Sequence, residues 1–184
     1  MGLGKLFLTA TFATFAIPAA AAIFTVGSNS ARLCYEAADS GRFSAAGATY
    51  CDRALSEDAL SSRDTVATHV NRGIIRFFKG DLAAALSDFD EAIARDPREA
   101  EAYLNKGVVL LRQPGGVSEA VPLFTTAIEK RTKKPALAYL GRGMAYELSG
   151  NVNAAYRDYK QASLLAPDWS APAAELGRFQ VVGN

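Results

Sequence analysis

Ala85-x-x-x-Phe89-x-x-Ala92, Ala120-x-x-x-Phe124-x-x-Ala127 and Ala155-x-x-x-Tyr159-x-x-Ala162 are one sparse pattern met three times, each copy 35 residues after the last. Small and aromatic residues spaced by four and three fall on one face of a helix. A return of that face at a period in the thirties marks an array of stacked helix pairs, not the pocket of a single globular enzyme.

Working outward, alanine-rich apolar stretches of helical length alternate with glycine-containing turns, and no strand-like alternation interrupts them. The pattern predicts helices near 31–40, 44–56, 65–79, 82–95, 99–112, 117–130, 136–149, 152–165 and 171–180. Lys79-Gly80-Asp81, Pro114-Gly115-Gly116 and Ser149-Gly150-Asn151 end the first helix of each clear pair, where glycine can take the left-handed cap conformation. Asp96-Pro97 and Ala166-Pro167 end two of the second helices, because proline cannot continue the hydrogen-bond ladder.

In this register the chain resembles the tetratricopeptide repeat family. The likeness rests on Gly73, Gly80, Ala85, Phe89, Ala92 and Pro97 in one copy and on Gly143, Tyr146, Gly150, Ala155, Tyr159, Ala162 and Pro167 in another. A third copy has Tyr103, Gly107, Ala120, Phe124 and Ala127, with one extra residue around Pro114-Gly115-Gly116 and Thr132 where the family usually has proline, so its turn is expected to be looser. The resemblance implies an all-α solenoid, a right-handed superhelix of antiparallel helix pairs. The expected organisation is a degenerate first pair at 31–64, repeats at 65–98, 99–134 and 135–168, and a capping helix at 170–181, together a domain over 31–184.

The first thirty residues differ in character. Lys5 precedes an uncharged run from Leu6 to Val26, and Pro18 precedes Ala19-Ala20-Ala21-Ala22 with its small-residue cleavage choices. This reads as a secretory signal peptide over 1–22 followed by a linker at 23–30. The alternative is an uncleaved anchor, since Leu6–Val26 approaches the ~20 residues of a membrane span. The chain has 20 basic and 19 acidic residues. That balance gives no electrostatic case for nucleic acid.

Residues equidistant from the turn of an antiparallel pair face one another. Arg72 and Asp88 are both eight residues from Gly80, and Arg142 and Asp158 are both eight from Gly150, which predicts a repeated cross-pair ion contact. Lys106, their counterpart in the middle copy, has no equivalent acid opposite and is expected to be freer. Cys34 and Cys51 obey the same mirror rule about a midpoint between Arg42 and Phe43, beside Gly41, and with an export signal present they are expected to form a disulfide.

No catalytic residue, cofactor or metal is expected. His69, the single histidine, occupies the slot of Tyr103 and Tyr139 and reads as a packed helix residue; an enzyme would need an acid within hydrogen-bond reach of it in a polar pocket. No cysteine, histidine or acid cluster has metal-ligand spacing, and Glu99, Glu101, Glu119 and Glu129 read as solvated charge at helix starts and faces.

By the resemblance, the first helix of each pair lines a concave groove, whose slots hold Val70, Asn71, Ile74, Phe77 and Phe78, then Leu104, Asn105, Val108 and Leu111, then Leu140, Met144 and Glu147. Relatives that clamp a terminal carboxylate use Lys, Asn and Arg at slots that hold Val70, Ile74, Asn105, Leu137 and Gly141 here, and only Asn105 agrees. The expectation is therefore a partly exposed apolar surface for an unidentified protein or peptide, with a self-buried face as the alternative. The chain reads as a non-catalytic interaction or assembly module of a bacterial periplasm or secreted compartment. The alternative is a structural subunit anchored in the inner membrane through residues 6–26.

Overall fold

The computed structural model describes residues 29–41 and 43–179. The leader expected at 1–22 and residues 23–28 of the linker lie outside the described residues. Among the described residues there are nine α-helices and no strand: α1 Asn29–Asp39, α2 Ala45–Glu57, α3 Ser62–Phe78, α4 Leu82–Arg95, α5 Ala100–Leu110, α6 Val117–Glu129, α7 Pro135–Leu148, α8 Val152–Leu165 and α9 Ser170–Leu176.

Helix ends follow from local chemistry. α3 starts three residues earlier than its apolar pattern suggests because Ser61 caps it: its Oγ accepts from the Asp64 amide at 3.1 Å and donates to the Asp64 carboxylate at 2.7 Å. Asp81 and Asn151 cap α4 and α8 in the same manner through the amides of Ala84 and Ala154. Just before them Gly80 and Gly150 take φ of +85° and +81°, and the amides of Asp81 and Asn151 reach back to the carbonyls of Arg76 and Tyr146. This is the left-handed close that glycine permits without strain. The expected looseness of the middle turn is not seen, because Arg112, Gln113 and Gly116 each donate back three residues and wind the 111–116 segment into consecutive turns. α9 ends at Leu176, short of the expected 181, and α1 takes Asn29 and Ser30 out of the expected linker.

Neighbouring helices pair as α1 with α2, α3 with α4, α5 with α6 and α7 with α8, and each pair leans on the next. The odd-numbered helices also touch in sequence, α1 to α3, α3 to α5 and α5 to α7, which puts them on the inside of the curve and the even-numbered helices outside. α9 closes the far end against α8. At the near end Cys34 of α1 and Cys51 of α2 are bonded to each other, both fully buried, across a sequence separation of 17. Closing a loop of this size removes denatured-state entropy equivalent to about 3 kcal/mol.

Within and between pairs the spacing is set by rings lying on glycines. A Cβ at Gly73 would stand 2.6 Å from the Phe89 ring, and one at Gly143 would stand 2.7 Å from the Tyr159 ring. Phe124 is held from two sides, since Cβ atoms at Gly107 and Gly141 would stand 3.0 and 2.5 Å from it. All three aromatic residues are fully buried, as are the alanines that flank them in the 35-residue pattern. Close packing of a protein interior leaves such rings little room to retreat.

Two opposed effects decide the outcome of adding a methyl group here. Replacing a helical glycine by alanine gains ~1 kcal/mol of helix propensity, while overpacking a closed core costs ~1 to 3 kcal/mol. Gly73→Ala should therefore lower stability by about 1 to 2 kcal/mol, whereas Gly107→Ala, whose closest ring contact would be 3.0 Å, should be near neutral. Urea unfolding of the two variants side by side checks this order.

Candidate functional site

The site expected from the sequence is the inner face, and the structure divides its twelve residues unequally. Val70, Asn71, Ile74 and Phe77 of α3, Leu104, Asn105 and Val108 of α5 and Leu140 of α7 are buried, between 0% and 7% exposed. Phe78, Leu111, Met144 and Glu147 are half-buried. Of the apolar run Val70, Ile74, Phe77, Leu104, Val108, Leu111, Leu140 and Met144 expected to be partly exposed, six are buried, and only Leu111 and Met144 keep partial exposure.

The four half-buried positions have distinct surroundings. Phe78 stacks on Phe43 with ring centroids 3.8 Å apart, and Phe77 beside it carries the Arg112 guanidinium 4.9 Å above its ring. Leu111 caps the end of α5. Met144 packs with Leu140 in the core formed by α7, α8 and α9. Glu147 faces that end of the array too, accepting from the Tyr159 hydroxyl at 2.7 Å and from Arg178 at 2.7 Å, while Arg178 also bonds Glu175. Burial, with the Glu147 carboxylate beside it, pushes the Tyr159 phenol well above its ordinary range. Glu147 is therefore a tie between α7, α8 and the segment after α9, not a ligand-facing acid.

Between the layers lies a set of charges. Arg72 grips Asp88 through Nε and Nη2, the latter at 2.7 Å from Oδ1, and reaches Asp52 of α2 with Nη1 at 2.8 Å. Arg76 donates to the other oxygen of Asp88 at 2.8 Å. In the last pair Arg142 holds Asp158 bidentately at 2.7 and 3.0 Å and touches Thr125 of α6 at 3.1 Å, lying over the rings of Tyr139 and Tyr146. Arg72 and Arg142 thus each join three helices: their own, its partner and the preceding outer helix. Lys106 obeys the same rule and is not free, because its ammonium meets Asp90 of α4, the preceding outer helix, in place of an acid within its own pair.

Asp88 is 2% exposed. Burial works to raise its pKa, but the hydrogen bonds from His69 and Arg72 and the charges of Arg72 and Arg76 prevail and hold the carboxyl below the ordinary carboxylate value. His69 Nδ1 lies 3.2 Å from Asp88 Oδ1, so an acid does stand within reach of the histidine. That acid is already shared by two guanidinium groups, and both His69 and Asp88 are buried. The arrangement is an ion cluster with a buried centre, His69 and Asp88, and an exposed edge at Asp52. Among the described residues no group of three or more His, Cys, Asp or Glu side chains is placed to hold a metal ion.

One acid missed by the sequence reading is Glu101. Read as a solvated helix-start charge, it is 2% exposed and accepts from the Thr132 hydroxyl at 2.9 Å and the Lys133 amide at 2.7 Å. Thr132 in turn accepts from the Lys134 amide at 3.2 Å. The substitution of threonine for proline in the middle copy thus has a local purpose, since the hydroxyl links α5 to the turn entering α7. Burial pushes the Glu101 carboxyl above its ordinary value despite these two donors. An acid with a raised folded-state pKa costs stability once pH climbs past its unfolded value, so this contact fixes a turn more than it stabilises the fold.

Models of the tetratricopeptide repeat match residues 70–114 and residues 136–168. Tetratricopeptide repeat protein 36 of Danio rerio is 29% identical over 107 residues, which is 57% of this chain and 57% of that protein. The chain thus spans a little over half the length of that curated relative. Among solved structures, a thermophilic repeat protein of this kind from Thermus thermophilus superposes with a TM-score of 0.65 at 26% identity, over 80% of this chain and 79% of that one. MamA superposes with a TM-score of 0.64 at 19% identity over 84% and 83%. The tetratricopeptide domain of Arabidopsis OM64 gives 0.60 at 23% identity over 64% and 96%. Two segments of the chain match tetratricopeptide repeat models, and its fold is a helical-repeat solenoid.

The depressed Asp88 carboxyl fixes the sign of a pH effect. Its stabilisation is complete above the unfolded value of 3.8 and is lost as pH falls through the lower folded value. Asp88→Asn should cost about 3 kcal/mol at neutral pH by leaving two guanidinium groups without their shared acid. The gap between variant and wild type in urea midpoints should narrow as pH drops below 3.8. A constant offset down to the acid limit of folding would contradict it.

Proposed function

We propose that this repeat solenoid is a non-catalytic interaction module of the bacterial periplasm, whose inner face takes an uncharged apolar helix or extended peptide. The carrying observation is the stripe Val70, Ile74, Leu104, Val108 and Leu140. These residues lie on the inner helices, about 60° to 100° around from the glycines that meet the rings of the outer helices, and they are buried in the same core clusters as those rings. A row of apolar side chains along the inner helices, with the half-buried Leu111 and Met144 at its edges, is the kind of surface that helix-in-groove recognition uses. The exported setting is supported by the leader-like run at 1–22 and by the bonded pair Cys34–Cys51, a bond that persists in oxidising compartments.

One observation favours a second reading. Leu6–Val26 has no charged residue, so a chain retaining it could sit in the inner membrane and present the repeats as a structural subunit of an envelope complex. The mass of the protein recovered from envelopes separates a processed chain from an anchored one.

The binding reading is tested with the processed chain and a fluorescent peptide of ~20 residues, enough for a helix as long as the face is wide, made of alanine, leucine and phenylalanine and flanked by solubilising lysines. Leu111→Glu and Met144→Glu alter half-buried edges of the face. They should weaken binding at least about tenfold, or ~1.4 kcal/mol, with helical circular dichroism unchanged. Absence of binding by the unaltered processed chain, or equal binding by both variants, would refute the groove.

A further inference from the structure

Charge is balanced over the whole chain but not along its edges. The segment joining α6 to α7 reads Glu129-Lys130-Arg131-Thr132-Lys133-Lys134, and Glu129 is the one acid between Glu119 and Glu147. Arg131, Lys133 and Lys134 are exposed, and among the described residues none of the four cations forms an ion pair; Lys130 lies over the Tyr103 ring instead. The equivalent segment between α4 and α5 differs, since its Arg95 and Arg98 are paired with Glu91 and Asp96.

Two features hold these cations in place. Buried Glu101 ties the loop to α5, accepting from the Thr132 hydroxyl and the Lys133 amide. Arg131 closes α6 at φ +61°, and among the described residues no other residue except glycine has a positive φ. Glycine adopts this conformation freely at Gly80 and Gly150, whereas at 131 a charged side chain stands there at a cost in backbone strain.

The end of α8 lies beside this loop. Leu165 and Pro135 are both fifteen residues from Gly150, in the register that brings Arg142 onto Asp158 at 2.7 Å. Here Leu164 and Leu165 are 68% and 44% exposed. Lys160, one turn before Leu164, adds an exposed cation, and Asp168 is an exposed acid in the turn that follows. Trp169, the single tryptophan of the chain, sits in that turn, partly buried against both core clusters.

An acidic protein segment would satisfy the cations and leave the two leucines in water. The interface of an anionic bilayer takes both, with ammonium and guanidinium groups at the phosphates and apolar side chains beneath them. We propose that the 130–134 loop and the end of α8 together form a docking surface for an anionic lipid bilayer. The contact needs no membrane-spanning segment, so it is separate from the anchored reading, and it does not rest on the groove reading. With helix ends turned to the lipid, the inner face points sideways.

The test uses the processed chain, which keeps the disulfide and both core clusters, and vesicles of phosphatidylglycerol and phosphatidylcholine in equal parts or of phosphatidylcholine alone. Bromine atoms in the acyl chains quench a tryptophan brought to the bilayer, so Trp169 is the reporter. Anionic vesicles should quench it, and phosphatidylcholine alone should not. Lys133→Gln with Lys134→Gln should weaken partitioning onto anionic vesicles at least about tenfold, a few-fold for each cation. Arg32→Gln with Lys79→Gln, which removes equal charge from α1 and from the turn after α3, should leave it within about twofold, because such charges lie beyond the screening length from the lipid. Leu164→Gln with Leu165→Gln should reduce both partitioning and quenching, with helical circular dichroism unchanged. Absence of quenching by anionic vesicles, equal losses from the two charge pairs, or full binding by the leucine variant would each overturn the proposal. Capture of polyglutamate that depends on Lys133 and Lys134, with Trp169 unquenched by anionic vesicles, would assign the loop to an acidic protein segment and overturn the bilayer.

Discussion

A ring pressed on a backbone is the contact on which the rest of this molecule depends. Phe89 on Gly73, Phe124 between Gly107 and Gly141, and Tyr159 on Gly143 each allow two helices to approach where any side chain would hold them apart. Because Phe124 of α6 meets glycines on both α5 and α7, one residue sets both the spacing within a pair and the stacking of that pair on the next. Repeating the contact every 35 residues turns a local approach into a curved array.

The charges play a different part. Arg72 with Asp88 and Asp52, and Arg142 with Asp158 and Thr125, each tie three helices at a fixed register, and Lys106 with Asp90 ties two. Taking such groups out of water offsets most of what their attraction contributes, so they select one arrangement of helices more than they add stability. Their placement also separates chemistries. The polar ties sit where inner and outer layers meet, and the stripe on the inner face is left apolar.

The architecture was legible in the sequence because its determinants are local: a glycine, an aromatic and two alanines at fixed spacing describe a contact between adjacent helices. Ser61 caps α3 through the Asp64 amide, a contact that apolar periodicity does not report, and the helix therefore starts three residues before the expected position. Lys106 and Glu101 were misread because their partners, Asp90 and Thr132, belong to the preceding outer helix and to a later turn, which the mirror rule for one pair does not reach. The apolar residues expected on the first helix of each pair fall on α3, α5 and α7. Their burial was not legible, because exposure depends on what lies across a concave face and not on the helix that bears the side chain.

The solenoid therefore presents a stapled near end, a capped far end and an apolar inner stripe, and the function proposed for it follows only if the glycine–ring contacts set the array. The direct measurement is a double-mutant cycle between Gly73 and Phe89, read by urea unfolding. In the wild-type background Gly73→Ala should destabilise; with Phe89→Leu already in place the ring is gone, and the same change should become neutral or stabilising through ~1 kcal/mol of helix propensity. A penalty for Gly73→Ala of the same size in both backgrounds would mean that the ring does not set the approach of the helices, and would contradict the account.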